Sequence, residues 1–446
     1  MLPQPPHWSA RLPFYYGWLV VAIAFCTMAI AVSARTAFSL LLPPLIGEFG
    51  WDRGLIAGAF SFGFLISAVL SPLIGRLMDS RGPRVLIESG VLLMGLGLLL
   101  APMIRQPWQL YVTLGLLVGS GANLMTYTAH SLFLPSWFVR HRGLAISLAF
   151  SGVGVGALVL LPWLQGIIER EGWRASCTAI GLLVIAVIGP LNLLVRRRPE
   201  DIGLLPDGVA RTASGAQAQR KASNIVDAAW AGTTWTLARA LRTARFWWLV
   251  IGYAGLTFAW YAVQVHQTKY LVETGFPPLV AAWSLGFVAV VAIPGQIFLG
   301  ALSDRVGREW VWSIACLGFA FCYAALIALE HAPSLPLLYL MVASQGLLGY
   351  AATSVMGPIA VEIFEGPHFG SIFGTLTVAL IGGGAAGPWL TGMIHDHTGS
   401  YRTAFALAMI CCIVSAASIW IAAPRKVRLV PGRVRAAGNA AAGTAP

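Results

Sequence analysis

The chain has 446 residues, of which 57% are hydrophobic and only 10% charged, with a net charge of +12. Soluble domains carry roughly 25% charged residues, so a soluble fold is excluded and lipid must solvate much of the surface. The positive excess does not point to nucleic acid, because the basic residues fall in short segments between apolar runs, where they set orientation.

A spanning helix needs about 20 mainly apolar residues. In chain order such runs are Gly17–Leu42, Leu55–Ile74, Val85–Met103, Trp108–Leu134, Gly143–Ile168 and Ala175–Val195. After a polar interval come Phe246–Thr268, Leu279–Ser303, Trp310–Leu329, Leu335–Val361, Phe369–Ile394 and Thr403–Ala423. The first run is too long for a signal-peptide core and lacks a small-residue cleavage site, so it reads as a span. The expected fold is an all-α integral membrane protein: twelve transmembrane helices in two pseudo-symmetric six-helix bundles. The bundles cover residues 1–195 and 244–423, joined by a linker loop at 196–243 and followed by a basic tail at 424–446. The linker reads as solvated to about Asn224, with a short basic amphipathic helix at 235–245. All six cysteines lie inside apolar runs and read as small buried hydrophobes.

Alternate loops carry 22 of the 29 Lys and Arg residues. The opposite loops hold Arg53, Arg105, Arg170, Arg174, Lys269 and Arg402, while Arg35 lies inside the first span. The positive-inside rule then places both termini and the central loop in the cytoplasm, with the chain in the inner (plasma) membrane.

The halves repeat one another. Gly75-Arg76-Leu77-Met78-Asp79-Ser80-Arg81-Gly82 and Gly300-Ala301-Leu302-Ser303-Asp304-Arg305-Val306-Gly307 share the pattern G-x-L-x-D-x-x-G. Pro162-Trp163-Leu164-Gln165-Gly166-Ile167-Ile168 recurs as Pro388-Trp389-Leu390-Thr391-Gly392-Met393-Ile394. Such duplications pack around a pseudo-two-fold axis along the membrane normal with a solute cavity between the halves. In each G-x-L-x-D-x-x-G copy the glycines allow a tight turn, and Asp79 or Asp304 can accept hydrogen bonds from helix-start N–H groups or from a basic side chain. Arg84 follows the first copy; Arg308, and then Glu309, follow the second. These contacts would hold one conformation and break in the other; the plain alternative is a simple turn carrying a positive-inside charge. Glycine rows at 152/154/156 and 382/383/384/387 imply close helix contact.

The G-x-L-x-D-x-x-G loop resembles the signature loop of the major facilitator superfamily. The stretch Trp137-Phe138-Val139-Arg140-His141-Arg142-Gly143-Leu144-Ala145 with its following glycines resembles monocarboxylate-transporter-like members. Tyr16-Gly17-Trp18 and Arg198-Pro199-Glu200-Asp201-Ile202-Gly203-Leu204 are similar to bacterial members of that branch, which also includes oxalate–formate exchangers. The resemblance implies alternating access, with the first, fourth, seventh and tenth helices lining the cavity.

Arg35, past the middle of the first span, is a candidate anion anchor, because a mid-membrane charge is costly and a guanidinium grips a carboxylate with two parallel hydrogen bonds. Snorkelling to the outer headgroups is the alternative. In monocarboxylate transporters a lysine holds a similar place. Asn123, Tyr127 and His130 are spaced to share a face of the fourth span; Thr257, Tyr261, Gln264 and Thr268 line one face of the seventh; Gln345 and Thr353 do so in the tenth. Each stripe is a candidate solute contact or an interhelical hydrogen-bond seam. The eighth span departs from the resemblance: it has no charged residue before Asp304, where monocarboxylate transporters carry an Asp/Arg pair. The eleventh lacks the exchangers' lysine. His130 is the one histidine near the middle of these spans that could titrate near neutral pH.

No nucleotide-binding loop, metal pair or nucleophile elbow occurs, so neither catalysis nor a cofactor is expected. The expected partners are a small-molecule solute (a carboxylate), membrane lipid and a coupling ion. The leading expectation is a secondary transporter of a monocarboxylate; an exporter of amphipathic compounds and a non-transporting solute receptor are the alternatives.

Overall fold

The computed structural model describes residues 13–51, 53–208 and 224–434. Of the regions discussed above, the extreme N-terminus, the linker centre at 209–223 and the tail end at 435–446 lie outside the described residues. Among the described residues eleven helices are long and apolar enough to cross a membrane. They are α1 (Tyr16–Phe49), α2 (Gly58–Met103), α3 (Pro107–Trp137), α4 (Arg142–Glu171), α5 (Trp173–Asn192), α6 (Ala244–Glu273), α7 (Trp283–Val306), α8 (Arg308–His331), α9 (Leu335–Phe364), α10 (Phe369–Thr398) and α11 (Arg402–Lys426).

The difference from twelve runs lies in α2. The helix containing it runs Arg53–Leu100, 48 residues, or about 72 Å at 1.5 Å per residue, more than twice a hydrocarbon core of about 30 Å. It is interrupted at Gly82, where φ is 81° and ψ 178°. That backbone is open to glycine at little cost, and Pro83 restarts the helix at once, where its missing N–H is harmless. What reads as a loop in the sequence is thus a one-residue break. The matching break between α7 and α8 is Gly307, with φ 116°.

The chain divides into two compact units, Met1–Val139 with Leu148–Ser214, and Arg140–Ser147 with Gly215–Pro446. The division differs from the expected boundary at residue 195 because residues 199–208 fold back on the first unit. The Val139 amide donates to Asp207 Oδ2 at 3.1 Å. Tyr15 donates to the Trp137 carbonyl at 2.8 Å; burial and the Asp207 and Glu200 charges raise its pKa, so the phenol stays neutral.

Each unit is held by glycine-mediated crossings. In the first, a Cβ at Gly152 or Gly156 would overlap the carbonyls of Phe25 and Ala29. In the second, a Cβ at Gly383 or Gly387 would overlap those of Ala254 and Phe258. Both crossings are i,i+4 glycine pairs set against i,i+4 backbone carbonyls, the small-residue packing expected where lipid supplies no hydrophobic drive. Gly382 has open space, and Gly384 instead seats the Tyr261 ring.

The end of the linker and the start of the tail pair with each other. Val226 donates to the Val427 carbonyl at 2.9 Å and Leu429 to that of Asn224 at 2.8 Å, closing an antiparallel bridge between Ile225 and Arg428. Trp230 donates to the Ile363 carbonyl at 2.8 Å and packs 4.3 Å from Trp235, with Arg245 4.1 Å over its ring. The amphipathic helix expected over 235–245 shortens to Leu237–Leu241, and Thr243 caps α6. The cysteines are all free; Cys177, Cys316, Cys322 and Cys412 are buried, while Cys26 and Cys411 are half-buried.

Candidate functional site

In the first unit Arg35 is half-buried on α1, just before the turn at Ala37 that joins Tyr16–Thr36 to Phe38–Phe49. Its guanidinium carbon lies 3.8 Å from the centre of the Phe64 ring and 5.8 Å from that of Phe60. The rings supply a negative face to the cation, worth about 2 kcal/mol or more where water is excluded. The crevice beside Arg35, lined also by Phe38, Leu41, Phe60 and Leu114, has about 20 Å³ of space, room for one water.

The stripe expected on the fourth span is not one continuous face. Thr126, with φ −104° and ψ −149°, separates Val118–Met125 from Tyr127–Trp137, so Asn123 lies on one side of a break and Tyr127 and His130 on the other. Asn123 donates to the Ser67 carbonyl at 2.8 Å and to Ser71 Oγ at 3.2 Å, an interhelical seam. His130 is buried, its Nδ1 3.1 Å from the Thr126 carbonyl, which also accepts from the His130 amide at 3.3 Å. Tyr127 is 37% exposed and meets Phe150 edge-on at 5.0 Å.

In the second unit α6 is continuous, and Tyr261 and Gln264 are half-buried on it. Trp260 packs 4.3 Å from Tyr350 and 5.6 Å from Phe319. The stripe on the tenth run is rephased: a π-helical turn at Ser344–Leu348 and a 3₁₀ turn at Gly349–Ala351 separate Gln345 from Thr353, and such turns often mark functional positions. Gln345 is fully buried. Its Nε2 has no hydrogen-bond partner among the described residues, and its Oε1 lies 3.9 Å from the Cys322 thiol.

The second copy of the repeated loop is the centre of a hydrogen-bond network. Asp304 accepts from the Gly143 amide through both oxygens at 3.1 Å and from the Leu144 amide at 3.3 Å. It therefore caps the start of α4, where the helix dipole favours an anion. Its Oδ1 is also 2.7 Å from Arg308. Arg308, fully buried, binds Glu362 at 2.9 Å and donates to Ser303 Oγ. Gly300 allows this close approach: a Cβ there would collide with Ser147 Oγ, and one at Gly143 with the Gly300 carbonyl. In the first copy Gly75 is buried, Asp79 half-buried and Arg84 exposed, and the Arg84 carbonyl accepts from Asn192 at 3.1 Å.

The charge network extends to residues that sequence spacing does not connect. Arg428 donates to the Glu362 carbonyl at 2.8 Å and bridges Glu365 at 3.2 Å. Arg142 lies 3.7 Å from the other Glu365 oxygen. The Arg425 amide donates to Glu309 at 2.9 Å. Burial lowers the Arg428 pKa and the Glu365 charge opposes it; the guanidinium remains protonated. The usable signal was a set of acids at helix ends (Glu309, Glu362 and Glu365) against the arginines just after the twelfth run, of which Arg425 meets Glu309 and Arg428 meets Glu362 and Glu365. In the first unit another network was missed: Arg174 grips Glu48 with a two-pronged contact at 2.6 and 2.7 Å, and Trp173 donates to the same carboxylate at 2.8 Å.

An all-helical, multi-pass chain with duplicated glycine crossings and a buried charge network at a repeated loop defines the class as a polytopic membrane transporter. The sequence pattern of the Major Facilitator Superfamily matches residues 23–332 and 270–443, and the chain belongs to that superfamily. It is similar to monocarboxylate transporter 13 of Rattus norvegicus, at 26% identity over 393 residues, covering 88% of this chain and 86% of the relative. Monocarboxylate transporter 12 of Homo sapiens is 25% identical over 411 residues (90% and 79%), and human monocarboxylate transporter 2 is 24% identical over 420 residues (91% and 84%). Among solved structures, the proton:xylose symporter XylE bound to 6-bromo-6-deoxy-D-glucose has a TM-score of 0.73 at 14% identity, over 91% of this chain and 95% of its own. The E. coli fucose:proton symporter FucP has a TM-score of 0.65 at 17% identity, over 91% and 99%. These likenesses carry the fold.

Proposed function

We propose that this protein is a secondary active transporter of a small organic anion, a monocarboxylate, working by alternating access between two six-helix bundles. The observation that carries the reading is Arg35, a permanent cation past the middle of α1, stacked on Phe64. One embedded guanidinium matches one carboxylate, and the relatives named monocarboxylate transporters add support. Counting the two halves of the Gly82-broken helix separately gives twelve crossings, with both termini and residues 196–245 cytoplasmic in the plasma membrane. Tyr127 in the first unit, and Tyr261 and Gln264 in the second, are further proposed solute contacts. Gln345, with its unmatched amide, is a further one. Asn123 and His130 support the helices that carry them.

Asp79 and Asp304 with Gly75, Gly82, Gly300, Gly307, Arg84 and Arg308 form the proposed gates. The Asp304 cap on α4 supports that role, since breaking it would free the helix start. Uptake of labelled acetate, lactate, pyruvate and benzoate into proteoliposomes, with and without an imposed pH gradient, tests the reading and identifies coupling to protons. Saturable uptake of at least one of them is expected; none at any gradient would remove the carboxylate assignment. The aromatic group Trp260, Tyr261, Phe319 and Tyr350 favours a second reading, export of amphipathic compounds, which drug-dye efflux by the same vesicles would reveal.

A further inference from the structure

Resting on the reading of Arg35 as the carboxylate anchor, we infer that Phe64 is a positioning residue for it, setting the plane in which the guanidinium meets the solute. At 3.8 Å the guanidinium carbon is in van der Waals contact with the face of the Phe64 ring. A guanidinium held by its face directs its N–H groups in plane, and in-plane donors make the two parallel bonds to a carboxylate. The Phe64 ring is itself fixed. It meets Phe60, one helical turn earlier, edge-on at 5.2 Å and 74°. Phe60 in turn stacks on Phe38 at 5.3 Å and 25°. Three phenyl rings from two helices thus form a ladder, and its last rung holds the cation.

A merely structural ring would lower stability when altered and leave affinity alone. Aliphatic substitution at residue 64 would confuse the two by disturbing packing. Fluorinated phenylalanines keep the shape and withdraw electron density from the ring face, weakening cation attraction stepwise. The experiment measures equilibrium affinity of purified protein carrying phenylalanine with zero, one, two or three fluorines at position 64. The probe is the best bound of acetate, lactate, pyruvate and benzoate, and Arg35→Ala is measured alongside. Affinity should fall with each fluorine, by roughly 5- to 30-fold in total, in protein that keeps the folded yield and size-exclusion profile of the unmodified chain. The same series at Phe60, 5.8 Å from the cation, should give a smaller slope. Flat affinity at position 64 with weakened binding in Arg35→Ala overturns the role of Phe64 and leaves the anchor standing. Unchanged affinity in Arg35→Ala, or no binding of any probe to the unmodified protein, overturns both.

Discussion

At the scale of single residues the most consequential group is Arg308. Its guanidinium sits fully buried between Asp304 and Glu362, so its removal strands two carboxylates away from water. Breaking a buried ion pair by deleting one partner costs about 3–5 kcal/mol. Arg308→Ala should therefore lower the melting temperature of detergent-purified protein markedly, and Arg308→Lys, which keeps the charge and loses the fork, should fall between. Replacing Asp304, Arg308 and Glu362 together by apolar residues of similar volume should recover part of the stability, since the Gly143 and Leu144 amides are left uncapped, while impairing transport if the triad serves gating; a folded triple variant with normal transport would confine it to packing. The sequence made Asp304 and Arg308 visible because they sit in a repeated motif. Glu362, Glu365 and Arg428 belong to no motif, and their pairing depends on how the tail returns to the ends of α8 and α9. Arg35 was legible as an isolated charge in an apolar run. Its ring partners were not, because Phe60 and Phe64 look like any apolar residues of a spanning helix.

At the scale of elements the two glycine crossings are the main finding. α4 against α1, and α10 against α6, approach so closely that a methyl group has no room at Gly152, Gly156, Gly383 or Gly387. Gly156→Val and Gly387→Val should each abolish transport and reduce folded yield, whereas Gly382→Val, where space is open, should leave both near normal; fluorescence-detected size-exclusion chromatography and vesicle uptake check this. The glycine rows could be read from sequence, but which glycine faces a neighbour could not. Similarly, helical spacing suggested single polar faces around Asn123 and Gln345. The break at Thr126 and the π-helical turn at Ser344–Leu348 rephase those faces, and neither carries a proline or glycine signature strong enough to announce it. The tail is a second element with a defined task. Truncation after Ala423 would remove Arg425 from Glu309, Arg428 from Glu365 and the bridge to Ile225. It should lower the melting temperature by several degrees, as loss of charged hydrogen bonds of about 1.5–3 kcal/mol each predicts. A melting temperature equal to that of the full chain would show the docking to be incidental.

At the scale of the whole molecule, composition and periodicity were enough for an all-helical, multi-pass membrane protein, and the duplicated motifs for its superfamily. The form of the junction at 82–83 was not, since a glycine–proline pair makes a one-residue break there that hydropathy reads as a loop. The proposed orientation predicts that single cysteines at positions 215 and 440 of a cysteine-free protein resist an impermeant thiol reagent in intact cells and react after permeabilisation; labelling of both from outside would invert it. The central claim is that a mid-membrane guanidinium anchors the carboxylate of the transported solute. Its most direct test is the equilibrium affinity of purified, correctly folded Arg35→Ala for the best-bound monocarboxylate. A loss of roughly two to three decades is expected, as removal of one member of a buried charge pair implies, with partial recovery in Arg35→Lys; affinity equal to that of the unmodified protein would show that the carboxylate is held elsewhere.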